Sequence, residues 1–546
     1  MCGIHAVIST SGYAPPPQGY VRRCLCNRGP DYVGTVRAEA DASLVSLTLT
    51  STVLSLRGDH VAAQPLVDPA TGSVLCWNGE AWRIGGRDVE GSDTEVVMGL
   101  LLLSSANSSS VGQEKSVLDA LRSIEGPFAL IYFDKPGRRV YYCRDRLGRR
   151  SLLVNKNDGD TVVLSSVADA EQDGWVEVEA DGCYTVCLDD LVISRHEWVD
   201  DASSVSGIGI FCEKMPDTTD DPPSLCEDSP SVGRLRDHLI ESLRLRVAGI
   251  PQPPEGTEDS ARLAVLFSGG LDCTVLARMA ADLVPPGQSI DLVNVAFENP
   301  RIAGQKPGCS RDELFELCPD RITARRSMAE LVRVCPDRLW RFVTVNVPYT
   351  ETCSHRESII RLMYPHNTEM DLSIANALYF AARGRGLASM PSSAPAGEPY
   401  CYTTTARVLL SGLGADELFG GYIRHKTAFS HKGYRGLLDE MRLDVGRLGK
   451  RNLGRDDRVM AHWGREVRFP FLDERLVRWA VESPVWEKCN FADAAAEDPD
   501  KRVLRLVAES LGLLGVSREK KRAIQFGART AKMESGKVKG TTFITP

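Results

Sequence analysis

The stretch LAVLFSGGLDCT, residues 263–274, gives the clearest indication of the fold in the second half of the chain. Its first five residues are apolar and predict a buried strand, and the two glycines predict a tight turn into a helix. Small residues let backbone N–H groups approach a phosphate closely, and the N-terminus of a helix adds partial positive charge. The stretch therefore predicts a phosphate-binding loop. It lacks the GxxxxGK[ST] pattern of the common P-loop.

Strand-like and helix-like segments alternate after this loop. Apolar runs at Asp291–Phe297, Phe342–Val347 and Val408–Leu410 predict further buried strands. Such alternation is typical of a parallel sheet covered by helices, so we predict an α/β fold here. Asp272 and Asp416 both follow predicted strands and are therefore expected at the carboxyl edge of the sheet. Two carboxylates at that edge predict a Mg²⁺ site between phosphates, since Mg²⁺ takes few carboxylates plus substrate oxygens.

The first 200 residues contain short β-like runs separated by turn signals, and helical stretches lie near Asp93–Leu103 and Lys115–Ile124. The predicted strands are Gly3–Ser9, Ser46–Leu56, Val74–Trp77, Phe128–Asp134, Val140–Cys143, Thr161–Ser165 and Cys183–Leu188. This pattern predicts stacked sheets flanked by helices, an α+β arrangement.

Changes in composition suggest where the domains end. Asp, Ser, Pro and Thr dominate between Asp200 and Val232, which is typical of a linker or a surface insertion. We therefore predict a first domain at 2–199, a linker or insertion at 200–232, a second domain at 233–531 and a flexible tail at 532–546. Inside the second domain, Ala388–Tyr402 is rich in Ser, Pro and Ala and is predicted to be an exposed loop.

Composition excludes several classes of function. The 546 residues carry a net charge of −8, which argues against a general binder of nucleic acid or of anionic membranes. The sequence has neither a run of about 18 apolar residues nor a secretory leader pattern. Sixteen scattered cysteines without metal-ligand spacing predict reduced thiols and a cytoplasmic protein rather than a disulfide or zinc framework. The sequence does not report the oligomeric state.

Cys2 is a candidate nucleophile. Removal of the initiator methionine would place its thiol and a free α-amine on one residue. An α-amine with a pKa near ~8 can act as general base for the thiol of the same residue, so a partner His or Asp is not required. A cysteine at position 2 is also compatible with a purely structural role.

Further motifs follow Cys2 in order: Asn27-Arg28-Gly29-Pro30-Asp31, Gln64-Pro65-Leu66, Trp77-Asn78-Gly79-Glu80 and Ser92-Asp93-Thr94-Glu95. Together they resemble the class II glutamine amidotransferase domain, which has the N-terminal-nucleophile hydrolase fold, an αββα sandwich. The resemblance implies that the Asn78 side-chain amide and the Gly79 N–H stabilise the oxyanion formed when Cys2 attacks glutamine. It also implies that Glu80 and Asp93 hold the glutamine α-ammonium. Taken alone, Asn78-Gly79 is more often a hairpin turn.

The motifs depart from that family at the glutamine carboxylate. The family places an arginine eleven residues before the Gln-Pro-Leu motif, and that position here is Val53. Arg57 lies four residues further on and is the candidate replacement. We expect it to reach the site only if its strand contains a bulge.

The phosphate loop, with Leu266, Ser268, Gly269, Gly270 and Asp272, resembles the pyrophosphate loop of ATP pyrophosphatases. The later stretch SGLGADELFGGY, residues 411–422, resembles the matching loop of asparagine synthetases and β-lactam synthetases and adds Ser411 and Gly412 to the predicted nucleotide site. The resemblance implies ATP and Mg²⁺ as ligands and makes Lys501 the lysine that stabilises the leaving pyrophosphate. On composition alone, Lys501 is a solvated surface lysine.

Nearly the whole chain resembles the asparagine synthetase family, and segments such as KRAIQFG at 521–527 resemble its eukaryotic asparagine synthetase domain-containing branch. The biosynthetic enzymes read Ser-Gly-Glu-Gly-Ser-Asp-Glu where this chain has Leu413 and Ala415. Leucine cannot accept a proton from an attacking ammonium. The leading interpretation is a glutamine-dependent enzyme that adenylates a carboxylate, aspartate by resemblance, for amide formation. The alternatives are a ligand-binding paralogue and an enzyme with another carboxylate acceptor.

Overall fold

A computed structural model describes residues 2–39, 45–106, 110–156, 160–198, 204–205, 207–216, 224–254, 256–257, 259–390, 398–493, 498–534, 537 and 539–544. The chain divides into two compact units. Unit 1 contains Met1–Ala202, Arg361–His366 and Leu448–Arg465, and unit 2 contains the rest of the chain. Two segments that lie within the predicted second domain thus belong to unit 1. No helix built from described residues is both long and apolar enough to cross a membrane.

Unit 1 contains fifteen strands among its described residues. They are β1 (Gly3–Ser9), β2 (Tyr32–Glu39), β3 (Ser46–Val53), β4 (Leu66–Val67), β5 (Val74–Gly79), β6 (Arg83–Ile84), β7 (Arg87–Asp88), β8 (Ile124–Glu125), β9 (Phe128–Asp134), β10 (Arg139–Arg144), β11 (Leu153–Asn155), β12 (Thr161–Ser165), β13 (Val176–Glu177), β14 (Gly182–Cys187) and β15 (Ile193–Glu197). Its first three helices are α1 (Gly19–Arg28), α2 (Asp93–Ser105) and α3 (Ser110–Arg122).

Two antiparallel six-stranded sheets form the centre of unit 1, in the orders β13-β11-β12-β1-β3-β2 and β15-β14-β10-β9-β5-β4. Alternate residues of β1, among them Ile4 and Ile8, pack against residues of the second sheet such as Ile131. The other face of the second sheet packs on α2 through Trp77 and Leu101. On the opposite side, Leu25 of α1 lies against Gly3. The predicted αββα sandwich is confirmed.

Unit 2 contributes the remaining strands and most of the remaining helices. Its strands are β16 (Ser204–Val205), β17 (Gly209–Ile210), β18 (Leu263–Leu266), β19 (Ile290–Phe297), β20 (Trp340–Val347), β21 (Arg385–Ser389), β22 (Tyr400–Thr403), β23 (Val408–Leu410) and β24 (Glu466–Arg468). The helices after residue 230 are α4 (Pro230–Val247), α5 (Leu271–Ala281), α6 (Pro300–Gly304), α7 (Arg311–Glu316), α8 (Pro319–Val334), α9 (Tyr349–Met363), α10 (Glu369–Arg383), α11 (Ala415–Phe419), α12 (Ile423–Gly446), α13 (Leu448–Arg451), α14 (Leu453–Ala461), α15 (Glu474–Glu482), α16 (Arg502–Ser510) and α17 (Ile524–Gly527), of which α13 and α14 belong to unit 1.

A seven-stranded sheet in the order β22-β21-β20-β19-β18-β23-β24 organises unit 2. The parallel part of the sheet consists of five strands in the order β20-β19-β18-β23-β24. Strands β21 and β22 extend the sheet beyond β20 with antiparallel pairs. Strands β18 and β23 are neighbours, so the loops that follow them leave the same edge side by side. The predicted parallel-sheet α/β fold is confirmed, and this arrangement brings the two predicted nucleotide loops together.

Two predictions need correction. The loop predicted at Ala388–Tyr402 begins and ends inside β21 and β22, which pair with each other, while residues 391–397 lie outside the described residues. The tail predicted to be flexible is bonded to the start of α10: the Gly540 and Thr542 carbonyls accept the Met370 and Glu369 N–H groups at 2.9 and 3.0 Å. These bonds satisfy donors that a helix N-terminus leaves free, which composition could not reveal.

Candidate functional sites

The backbone at Cys2 is fixed from two sides. Cys2 precedes β1 and is buried, with 7% of its surface exposed. Its carbonyl oxygen accepts a hydrogen bond from Arg28 Nε at 3.2 Å. The next residue, Gly3, donates its N–H to Thr52 Oγ1 at 3.0 Å, and a Cβ on Gly3 would lie 2.6 Å from that oxygen. The first residues of β1 are therefore held in one position.

Gln64 connects the thiol to β5. Its Nε2 donates to Cys2 Sγ at 3.9 Å, and its Oε1 accepts the Trp77 N–H at 2.8 Å. Asn78 and Gly79, the predicted oxyanion donors, follow Trp77 directly in β5. Gln64 therefore contacts both the Cys2 thiol and the residue that precedes these donors.

Asn78 is fully buried near the carboxyl end of β5. Neither its Oδ1 nor its Nδ2 has a hydrogen-bond partner among the described residues. Burying an unsatisfied amide costs roughly 1–3 kcal/mol, so such a group calls for an explanation. Asn78 and Gly79 pair with Ala129 and Phe128 of β9, so the hairpin-turn interpretation is wrong. Only glycine fits at position 79, because a Cβ there would lie 2.3 Å from the Pro127 carbonyl oxygen.

The predicted glutamine-binding residues gather beside β5. Asp93 Oδ2 accepts the Trp77 indole N–H at 3.0 Å and the Ala81 N–H at 2.9 Å. Arg57 Nη1 donates to the Ala81 carbonyl at 2.9 Å and lies 3.5 Å from Glu80 Oε2. These contacts bring a guanidinium and two carboxylates to one place, which suits a zwitterionic amino acid.

Arg57 reaches this place in a way that the sequence did not suggest. We expected a bulge in its strand, but β3 ends at Val53 and Arg57 lies in the loop that follows. Val53 itself is buried and pairs with Pro30 as an isolated bridge. Arg57 therefore reaches the site from the loop that follows β3, and no bulge in the strand is needed.

His5 is a second buried polar group of unit 1 without full pairing. Its Nδ1 has no hydrogen-bond partner among the described residues. Burial lowers the pKa of the imidazole to about 4, so His5 is neutral at physiological pH.

The phosphate loop of unit 2 has the predicted strand–turn–helix form. Strand β18 ends at Leu266, and α5 begins at Leu271. Gly269 has φ +80°, and a Cβ there would lie 2.4 Å from the backbone of Ala324. Its carbonyl accepts the Ser327 hydroxyl at 2.6 Å, and Ser268 Oγ accepts the Gly270 N–H at 3.4 Å. A side chain at position 269 would therefore push the loop away from α8.

Lys501 lies between the two predicted Mg²⁺ ligands. Its Nζ is 2.7 Å from Asp272 Oδ1 and 2.9 Å from Asp416 Oδ1. Lys501 is only 2% exposed, so the surface-lysine interpretation is wrong. Its φ of +50° is unusual for a residue with a side chain and fixes the start of α16 beside the two aspartates.

Electrostatics follow this arrangement. Burial disfavours the charged ammonium of Lys501, but Asp272 and Asp416 outweigh it and raise its pKa. Burial likewise disfavours the Asp416 carboxylate, but Lys501 and Lys521, which both pair with it, hold its pKa below the usual range. For Asp272 burial prevails and raises the pKa. The charges of this cluster thus compensate one another.

The second nucleotide loop touches the first. After β23 ends at Leu410, Ser411 donates its N–H to the Arg468 carbonyl at 3.0 Å. A Cβ on Gly412 would lie 2.8 Å from Asp272 Cβ. Leu413 donates its N–H to Ser411 Oγ at 3.3 Å and is half-buried.

These residues fit a magnesium–nucleotide site. One ammonium nitrogen contacts both Asp272 and Asp416, so a single cation can contact both carboxylates. Among the described residues, no three His, Cys, Asp or Glu side chains gather as a complete metal site. The remaining ligands would come from phosphates and water, which is the coordination Mg²⁺ prefers.

The structure adds residues to which the sequence assigned no role. Arg28 contacts Cys2, Gln64 contacts both Cys2 and Trp77, and Lys521 pairs with Asp416. All three belong to motifs that carry the family resemblance. The order of the motifs does not reveal which side chains contact one another. Membership in a motif was therefore the only signal in the sequence for these three residues.

Comparisons with known proteins match both halves. Residues 1–183 match the family model described as "Glutamine amidotransferase domain", and residues 400–439 and 429–540 match "Asparagine synthase". The chain is 31% identical to asparagine synthetase domain-containing protein 1 of Gallus gallus, covering 99% of this chain and 98% of that protein. It is 34% identical to an asparagine synthetase domain-containing protein of Saccharomyces cerevisiae, covering 95% and 90%. To the glutamine-hydrolyzing asparagine synthetase of Gallus gallus it is 23% identical, covering 75% and 64%.

Among solved structures, a glutamine aminotransferase class-II domain protein of Silicibacter pomeroyi aligns with a TM-score of 0.21 and 12% identity over 36% of this chain and 99% of that one. That likeness is too slight to bear on the fold.

Proposed function

The chain belongs to the family of asparagine synthetase domain-containing proteins, and from that premise we propose that it is a glutamine-dependent, ATP-consuming enzyme that forms an amide. Residues 2–199 supply the glutaminase, and residues 233–531 supply the carboxylate-activating half. The acceptor is aspartate by family resemblance, and the reaction takes place in the cytoplasm.

The observation that carries this proposal is the buried side-chain amide of Asn78, which has no hydrogen-bond partner in the part of the chain that the structure describes. An oxyanion hole needs preorganised donors that stay free until charge develops on the substrate. A ligand-binding protein that only holds glutamine has no use for such a donor beside a nucleophile.

The glutaminase step begins when the α-amine of Cys2 takes the proton of its own thiol. The thiolate attacks the side-chain amide carbon of glutamine, and Asn78 Nδ2–H and the Gly79 N–H stabilise the resulting oxyanion. Collapse of this tetrahedral species breaks the C–N bond, and the departing nitrogen takes the proton as ammonia. Water then hydrolyses the thioester to glutamate and restores Cys2.

In the second half, an acceptor carboxylate attacks the α-phosphorus of ATP and pyrophosphate departs. The phosphate loop holds the phosphates, while Lys501 and Lys521 lie where negative charge accumulates on the leaving group. Bound Mg²⁺, held by Asp272 and Asp416, would neutralise part of that charge. Ammonia then attacks the acyl carbon, and AMP leaves as the amide forms. Leu413 cannot take the proton from this ammonia, so the proton passes to solvent or substrate.

The experiment supplies untagged protein with ATP, Mg²⁺, aspartate and either glutamine or ammonium. We expect asparagine and AMP in equal amounts with both nitrogen donors. Asn78→Ala should lose the glutamine-dependent reaction and keep the ammonium-dependent one. Absence of AMP with either donor and any acceptor would contradict the enzymatic proposal and favour the ligand-binding paralogue.

A pocket in unit 2 favours a second candidate, in which the acceptor carries an apolar group. The pocket encloses about 140 Å³ between α9, α10 and the C-terminal segment. Among its lining residues are Arg356, Glu369, Met370, Leu372, Phe526 and Met533. The charged pair suits an amino acid and the apolar walls suit its side chain. Exchange of labelled pyrophosphate into ATP, measured across polar and apolar amino acids, separates the two candidates.

A further inference from the structure

Asp457 belongs to a segment that lies far from Cys2 in sequence and close to it in unit 1. The segment Leu448–Arg465 falls inside the range that matches the asparagine synthase family model, yet it belongs to the same compact unit as the N-terminal strand. Asp457 lies on α14 and is fully buried. Its Oδ2 accepts Arg28 Nη2 at 2.8 Å and the Ser151 N–H at 3.2 Å.

Arg28 is equally buried and has few anchors. Its Nε donates to the Cys2 carbonyl and its Nη2 to Asp457, whereas its Nη1 has no hydrogen-bond partner among the described residues. Without Asp457, this guanidinium would keep only its hydrogen bond to the Cys2 carbonyl among the described residues. The carboxylate of Asp457 therefore sets the direction from which Arg28 holds Cys2.

The neighbouring residue of α14 supports the same strand by another route. Arg458 Nη1 donates to Ser151 Oγ at 2.8 Å, and Ser151 Oγ donates to the Ser166 carbonyl at 2.9 Å. Ser166 exchanges hydrogen bonds with Ile4, whose N–H it accepts at its Oγ at 3.1 Å. Two consecutive residues of one segment thus reach the first residues of β1.

We propose that Asp457 is a positioning residue for the nucleophile, acting through Arg28 on the backbone of Cys2. This inference rests on the proposed glutaminase function. A shift of the nucleophile by about 1 Å can cost a hundredfold in rate, so fixing the Cys2 backbone is an effective control point. The segment matched by the synthase family model therefore contributes directly to the geometry of the glutaminase site.

The test compares Asp457→Asn, Arg28→Gln and the double variant in untagged protein. For Asp457→Asn we expect kcat for glutamate release to fall about tenfold while the glutamine KM stays within about twofold, because orientation is lost and substrate contacts are kept. The double variant should match Arg28→Gln alone, since residues that act through one contact are not additive. Additive losses, or an unchanged kcat in Asp457→Asn, would overturn the inference.

Asp456→Asn is the matched control. Asp456 is buried on the same helix but pairs with Arg455 at 2.7 Å. We expect its kcat to stay within about twofold of the wild type, because the carboxylate of Asp456 forms its ion pair with Arg455, whereas Arg28 pairs with Asp457. An equal loss of kcat in this control would assign the effect to disruption of α14 and overturn the inference.

Two measures keep the test decisive. If Asp457→Asn fails to fold because Arg28 is left buried without its counter-charge, Asp457→Glu keeps the charge but moves the carboxylate by one methylene. We expect a lower kcat with the same KM, and a wild-type kcat would refute the inference. Hydrogen–deuterium exchange of the peptide spanning 2–9 should be faster in Asp457→Asn than in the control. This readout needs no turnover, so a wild type without glutamate release would contradict the proposed function, while unchanged exchange would contradict the positioning role.

Discussion

The two candidate sites differ in the buried polar group on which their proposed chemistry depends. In unit 1, the Asn78 amide is buried without a hydrogen-bond partner among the described residues, and His5 is held neutral. In unit 2, the buried groups are charged, and Lys501 compensates Asp272 and Asp416. Leaving a buried neutral amide unpaired costs a free energy of about 1–3 kcal/mol, whereas burying an isolated charge costs far more. A site for an oxyanion can thus stay open, but a site for a cation and phosphates must pair its own charges until ligands replace them.

The largest effect is expected where a charge is removed from the unit 2 cluster. Lys501→Met leaves two carboxylates facing each other, and the donor that stabilises departing pyrophosphate is lost. We expect ATP–pyrophosphate exchange to fall by about 10²–10³-fold, the usual consequence of removing such a donor.

Lys488→Met is the control for that variant. Lys488 is also fully buried, and burial lowers its pKa to about 8, but its Nζ donates to the Ala480 carbonyl at 2.7 Å. Its exchange rate should stay near that of the wild type. A loss in Lys488→Met equal to that in Lys501→Met would show that burial, not the paired aspartates, explains the effect.

The next-largest effect is expected at Asn78 in unit 1. Asn78→Ala removes an amide that makes no hydrogen bond in the described structure, so glutamine turnover should fall about 10²-fold. The free energy of unfolding should stay the same or rise by about 1–3 kcal/mol, because the desolvation cost of the unpaired amide is removed. Steady-state kinetics and urea unfolding measure the two quantities. A large loss of stability with retained turnover would mean that the amide is structural.

A third prediction concerns acid stability. The pKa of His5 is near 6.5 when unfolded and about 4 when folded, so the unfolded state binds more protons between these values. The stabilising effect of the neutral imidazole is fully present above pH 6.5 and is lost as the pH falls toward 4, by about 3 kcal/mol. Urea unfolding at pH 7 and pH 4 should show a smaller acid loss for His5→Gln. If the wild type and His5→Gln lose the same free energy of unfolding between pH 7 and pH 4, His5 is not a neutral buried imidazole.

The smallest effect is expected at Arg57. Arg57→Gln should raise the glutamine KM about tenfold and leave kcat within about threefold, because one charge-assisted contact to the substrate carboxylate is lost. Arg37→Gln, at an exposed position of β2, serves as the control. An unchanged KM would show that another group binds the carboxylate in place of Val53.

Local pattern predicted much of this architecture. Strands such as Gly3–Ser9 and Val408–Leu410 were predicted with the bounds the structure has, because their apolar runs are short and buried. Strand β2 was missed because it alternates exposed and partly buried residues at a sheet edge. The contribution of Leu448–Arg465 to unit 1 leaves no mark in composition, since it depends on contacts with residues hundreds of positions away.

The candidate sites were predictable as sets of residues but not as contacts. The motifs named Asn78, Asp93, Asp272 and Lys501, and the structure places them in two clusters. No motif encodes the path of the backbone between the motifs. The contact of Lys501 with both aspartates and the position of Arg57 in the loop after β3 both depend on that path. Residues that hold the nucleophile from a distance, such as Asp457, are likewise visible only once the chain is folded.

The most direct test of the central claim is glutamate release by the untagged protein, with removal of the initiator methionine confirmed by mass spectrometry. Wild type and Cys2→Ala are compared in the presence and absence of ATP and aspartate. We expect the wild type to release glutamate and Cys2→Ala to release none. Folded, correctly processed wild-type protein that releases no glutamate under any of these conditions would contradict it.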